Sequence, residues 1–135
     1  MLQHDKRVNY LSGNCHELMP YFERQFGVCS IMQSNPEYKF TNSDGTVALG
    51  VTVPDVMLWV NLDDGRSLCV PVEVKNCGEF EAIRGKAARQ AASLYKYLDR
   101  HPELKMDVPG IFVAHGGTMN GRKWQNYKVE FMERY

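Results

Sequence analysis

The sequence predicts a mixed α/β domain, with a central β-sheet flanked by helices, from three observations. Two stretches, about 9–26 and 79–100, repeat apolar residues every three or four positions, the period of a helix with one buried face. Between and after them lie short runs rich in β-branched and aromatic residues. Turn clusters such as Asn42-Ser43-Asp44-Gly45 and Asp63-Asp64-Gly65 separate those runs.

In chain order, the first helix carries Leu11, Cys15, Leu18, Phe22 and Phe26 as its apolar stripe. Pro20 falls inside the stripe and predicts a kink there, and Gly27 supplies a stop. Residues 28–34 read as a strand ending at Asn35-Pro36. Segments 37–41 and 46–49 flank the first turn cluster and read as a hairpin. Residues 51–62 and 66–76 read as two more strands, made antiparallel by the Asp-Asp-Gly turn between them. Phe80, Ile83, Ala87, Ala91, Leu94 and Leu98 mark the second helix, which His101-Pro102 ends. Residues 110–115 read as a short buried strand, 116–121 as a loop and 124–132 as a final strand. The expected order is helix, five strands, helix, two strands.

Composition narrows the function classes. The 135 residues make one domain, 1–135, and 44% hydrophobic with 24% charged residues is ordinary globular composition. No apolar run is long enough to span a bilayer, and the polar start MLQHDKRVNY is no signal peptide, so a soluble intracellular protein is expected. Cys15, Cys29, Cys69 and Cys77 show no paired spacing and read as reduced thiols. Cys15 and His16 lack the second ligand pair of a zinc site. Sixteen basic and sixteen acidic residues exclude a protein that coats nucleic acid through bulk charge. The zero is a cancellation, however. Residues 35–75 carry a net −3, whereas 79–100 and 110–135 carry +2 each.

Phasing residues 68–75 by twos puts Leu68, Val70, Val72 and Val74 on one face and Cys69, Pro71, Glu73 and Lys75 on the other. Asp55 starts the partner strand in the opposite phase to Val56, Leu58 and Val60, so the hairpin brings it beside Glu73 and Lys75. Such a cluster suits phosphodiester hydrolysis. Asp55, Glu73 and the Val74 carbonyl offer the hard oxygen ligands that Mg²⁺ or Mn²⁺ takes. Lys75 can orient an attacking water or stabilise the charge that builds on phosphate. Arg84, Lys86 and Arg89 on the second helix, with Arg122 and Lys123 in the loop before the last strand, are candidate phosphate contacts.

Pro54-Asp55, followed eighteen residues later by Glu73-Val74-Lys75, resembles the PD-(D/E)XK nuclease superfamily. The order of the flanking elements resembles that superfamily's restriction-endonuclease-like core. The resemblance implies a metal-dependent endonuclease acting on DNA or RNA, with Asp55 and Glu73 as metal ligands and Lys75 as the catalytic lysine. It also implies an acidic residue on the first helix, here Glu17, with Glu23 as competitor, and a Gln on the second helix, here Gln90, followed by Tyr95. His16, 39 residues before Asp55, raises a rival subclass similar to the cap-snatching RNA endonucleases, which use a helix His as a further ligand. Without a reading module, the expected cleavage of DNA is structure-selective or nonspecific, by a homodimer or within a larger polypeptide or assembly. A non-catalytic nucleic-acid-binding or assembly module of the same fold is the rival from another class. His115-Gly116-Gly117 alone, without a GxGxxG or P-loop, carries no nucleotide-binding reading.

Overall fold

The computed structural model describes residues 2–134. Helix α1 spans Gln3–Gly13, a 3₁₀ turn covers Cys15–Leu18, and α2 spans Met19–Phe26. Strands β1 (Cys29–Pro36), β2 (Val56–Leu62) and β3 (Ser67–Lys75) precede helix α3 (Phe80–Arg100), and β4 (Gly110–Asn120) and β5 (Lys123–Glu133) follow it. The five strands form one sheet in sequence order. β1, β2 and β3 are an antiparallel meander, α3 crosses over so that β4 runs parallel to β3, and β5 pairs antiparallel with β4. This is the mixed α/β architecture that the periodicities predict.

Helices cover both faces of the sheet. Val56, Leu58, Val60, Val70, Val72 and Val74 pack toward α1 and α2, where Phe22 stacks on Phe112 at 4.6 Å. Met57 and Cys69 meet Leu94 and Leu98 of α3, and Ala87 and Ala91 meet Ile111 and Val113. β3 is therefore buried from Leu68 through Val74, and its last residues emerge at one end of the sheet. No helix among the described residues is long and apolar enough to cross a membrane. All four cysteines are free thiols, and burial beside Asp107 pushes the Cys69 thiol up to about 11.

Five local expectations are corrected. The first helix is two helices, broken at Asn14, whose backbone N–H and side-chain amide both donate to the Tyr10 carbonyl. Pro20 lies in the first turn of α2, where its missing N–H costs nothing, so it starts a helix instead of kinking one. Segments 37–41 and 46–49 form no hairpin of strands, only a single bridge between Thr41 and Val47 around a turn that Asp44 ties to Thr46. The segment is held by packing instead, with Phe40 and Ala48 buried among Met57, Leu94 and Leu98. β2 itself begins at Val56 and not at Val51, since Pro54 has no N–H to add to a ladder.

The fifth correction concerns residues 116–121. They form no loop: β4 continues through Gly116–Asn120, five residues past its last pairing with β3, and β5 follows it back. Together they make an arm that projects roughly 16 Å beyond the sheet at about 3.3 Å per residue. The arm bends where Gly116, Gly117 and the facing Asn126 all adopt positive φ. The bend lays Trp124 into the α1 face, 1% exposed, with its indole N–H donating to the Gly116 carbonyl at 2.8 Å. A Cβ on Gly117 would stand 2.3 Å from the Gln125 carbonyl oxygen. Gly117→Ala is expected to destabilise the protein by about 2–4 kcal/mol, combining left-handed strain with a backbone clash. A urea melt with unchanged stability would show that the bend is not sterically required.

Candidate active site

The chemistry-bearing residues converge where β2 begins and β3 ends. The last ladder pair is Val56 with Val72, so beyond it the Val74 N–H has no partner on β2. The Asp55 carboxylate takes that place, with Oδ2 accepting from the Val74 N–H at 2.8 Å. The Asp55 carbonyl in turn accepts from the Glu37 N–H at 2.8 Å, which fixes the residue at both ends. Pro54-Asp55 is thus the point where a side chain replaces the backbone in the ladder.

Glu73 projects toward α3 and is 4% exposed. It lines, with Pro54, Pro71 and Gln90, a crevice too narrow for a free water. Burial, then the Asp55 charge and a hydrogen bond with the Asp55 side chain, raise its carboxyl to about 9, and Lys75 opposes the shift only in part. The folded chain therefore favours the protonated Glu73 carboxyl unless a further cation stands beside it. The Lys75 ammonium donates to Gln90 Oε1 at 2.8 Å, so α3 holds the end of the lysine from the side opposite the strand. Asp55, Glu73 and Lys75 therefore stand together, as the strand phases predict, and Gln90 joins them from α3.

No family model, curated protein or solved structure matches this chain. Its function rests on the geometry of the chain itself.

The remaining candidates are placed elsewhere. Both oxygens of Glu17 are occupied by phenols, Tyr10 at 2.5 Å and Tyr127 at 2.8 Å, and Tyr127 packs on the α1 face of the sheet. Glu23 is exposed on α2, next to Cys29, and His16 is exposed on the 3₁₀ turn. Tyr95 lies under the Arg134 guanidinium, 4.6 Å from its ring centroid, in the groove between α3 and β5. Arg84, Lys86 and Arg89 are exposed on α3, and Arg84 pairs with Glu81 at 3.6 Å. Arg122 and Lys123 are exposed at the tip of the arm.

Two neighbours of the site were not singled out from the sequence. The imidazole of His4, in the first turn of α1, sits 3.3 Å from Asp55 Oδ1. His4, Val8 and Leu11 share a helical face, so extending the apolar stripe backward would have found it. His115 pairs in register with Lys75 and is 1% exposed, with neither ring nitrogen hydrogen-bonded among the described residues. Its Nε2 lies 3.7 Å from Glu130 Oε1. Among the described residues, no three His, Cys, Asp or Glu side chains stand ready-grouped around a cation position.

Gln90 has a measurable share in this arrangement. Gln90→Ala removes the acceptor that holds the Lys75 ammonium, and any activity that uses Lys75 should fall on the order of 10-fold, the worth of about one such hydrogen bond. The fall belongs in kcat with KM unchanged. An equal rise in KM would place Gln90 on the substrate instead.

Proposed function

We propose that the protein is a divalent-metal-dependent endonuclease of the PD-(D/E)XK kind, hydrolysing phosphodiester bonds of nucleic acid. The observation that carries this reading is the buried Glu73 beside Asp55, with the Lys75 ammonium held at their end by Gln90. The donor set fits the ion. Two carboxylates and the Val74 carbonyl are hard oxygen donors, and a divalent cation is the partner that offsets the cost of ionising the buried Glu73 carboxyl.

Asp55 and Glu73 would hold the metal, and their backbone anchorage on β2 and β3 fixes the direction from which they do so. Bound there, Mg²⁺ or Mn²⁺ supplies Lewis-acid polarisation of the phosphate and acidifies water. Lys75, oriented by Gln90, donates to the phosphate oxygens as negative charge builds in the transition state. The pinned lysine loses little freedom during the reaction, because α3 already holds it.

His4 favours a second reading. The place given to His16 in an RNA endonuclease similar to the cap-snatching enzymes is taken here by His4, the imidazole that reaches Asp55. An imidazole in the donor set shifts preference from Mg²⁺ toward Mn²⁺. One experiment addresses both readings. Labelled single-stranded, duplex and branched DNA, and RNA, are incubated with the protein in Mn²⁺, Mg²⁺ or EDTA. Cleavage in metal and none in EDTA is expected; wild-type protein inert on every substrate with both metals would end the enzymatic reading. RNA cut in preference to DNA, together with a Mn²⁺ requirement that His4→Ala relaxes, selects the second.

A further inference from the structure

We infer that the groove between α1 and the β4–β5 arm binds an unpaired strand of nucleic acid. This deepens the nuclease reading by naming the substrate class, and rests on it for the chemistry that follows binding. Lys6, Tyr10 and Asn14 of the α1 segment form one wall, and Met119 and Arg122 of the arm form the other. The two walls enclose about 590 Å³. That is the size class of a small-ligand cleft, with room for a nucleotide or two.

The lining chemistry is that of a single strand. Lys6 and Arg122 place a cation on each wall, and no acidic residue is among the described residues that line the groove. Tyr10 and Met119 add an aromatic and a soft apolar surface, on which a splayed base stacks without regard to sequence. The walls are also held in place. One carboxylate, Glu17, accepts from Tyr10 on the α1 side and from Tyr127 on the arm side, so it ties the two walls together. Arg7, on the same helix, lies over the Trp124 ring of the arm at 5.6 Å.

Position favours this groove over the other basic one. The arm leaves the sheet at the end where β3 delivers Lys75, since β4 runs parallel to β3 and extends beyond His115. Lys6 is two residues from His4, which touches Asp55. The groove of about 620 Å³ that Lys96 and Arg100 line instead lies against the C-terminal half of α3.

The test is fluorescence anisotropy in EDTA, with single-stranded 12-mers of DNA and RNA and a blunt duplex of the same length as probes. Wild type should bind single strands at least 10-fold more tightly than the duplex. Lys6→Ala/Arg122→Ala should weaken single-strand binding at least 10-fold and lower its salt slope by about 1.4, two phosphate contacts at about 0.7 each. Glu17→Gln should weaken binding while Mn²⁺ still raises the melting temperature as in wild type, which a metal-ligand role for Glu17 would not allow. Lys96→Ala/Arg100→Ala should leave affinity within twofold. Equal or tighter duplex binding, unchanged affinity in Lys6→Ala/Arg122→Ala, or an equal loss in Lys96→Ala/Arg100→Ala overturns the inference. Preference among the single strands tells DNA from RNA. Strand binding without any metal-dependent cleavage supports the groove and defeats the nuclease reading, so the two fail separately.

Discussion

Lys75→Ala should lower metal-dependent cleavage by about 10²–10³-fold while leaving the fold and metal uptake intact. The side chain is half-buried, contacts α3 through a hydrogen bond to Gln90, and is not part of the apolar cores. Its removal therefore takes away a cation with little packing. Its loss also removes a like charge that repels a divalent metal, which offsets the harder ionisation of Glu73, so the variant should still take up metal. Lys75→Arg should recover only part of the rate, because a planar fork cannot reproduce the single Nζ contact with Gln90. Cleavage rates beside calorimetric Mn²⁺ titrations check both halves. A variant that cleaves as fast as wild type would remove Lys75 from the chemistry.

Glu73→Gln should do the opposite to stability and to function. The raised carboxyl of Glu73 means that the folded chain prefers the protonated acid, whereas the unfolded chain ionises near 4.5. The folded state therefore binds the extra proton, and stability is lost as pH rises from about 4.5 toward 9. A glutamine imitates the protonated acid, including its ability to donate toward Asp55, and has no charge to bury. In EDTA at pH 8 the variant should be more stable than wild type by about 1–3 kcal/mol, a melting temperature higher by several degrees. At pH 5 the advantage should shrink. Saturating Mn²⁺ should reverse the ranking, because wild type gains about 2.7 kcal/mol at a hundredfold excess over Kd and the variant gains little. Thermal melts across pH with and without Mn²⁺ decide it. A Glu73→Gln variant less stable than wild type at pH 8 in EDTA would show that Glu73 carries no buried-charge strain.

How much of this was legible depends on the range of the interaction. The Glu73 and Lys75 phase is set by strand alternation, a period of two that any buried strand must obey, so it was readable from residues 68–75 alone. Gln90 was singled out only through the family resemblance, and its hydrogen bond to Lys75 depends on how α3 packs on the sheet. What local pattern could not supply was the sheet order. That order left residues 37–49 outside the sheet and turned the 116–121 glycines into a bent strand. Glu17 illustrates the same limit, because its partner Tyr127 is 110 residues away. His4 escaped for a different reason. Polar neighbours hid the start of α1, whose buried residues include Arg7 as well as Val8 and Leu11.

The Glu17–Tyr127 contact also bears on the order in which the chain acquires its parts during synthesis. The β2–β3 hairpin pairs residues close in sequence and can form soon after it emerges, with Asp55 and Glu73 already opposed. Gln90 comes later, the strand beside Lys75 later still, and the arm after both. A growing polypeptide thus carries its acids well before it has a strand to close the sheet or a wall to seat a substrate. Any hydrolytic capacity would switch on only once β5 has left the ribosome and met α1.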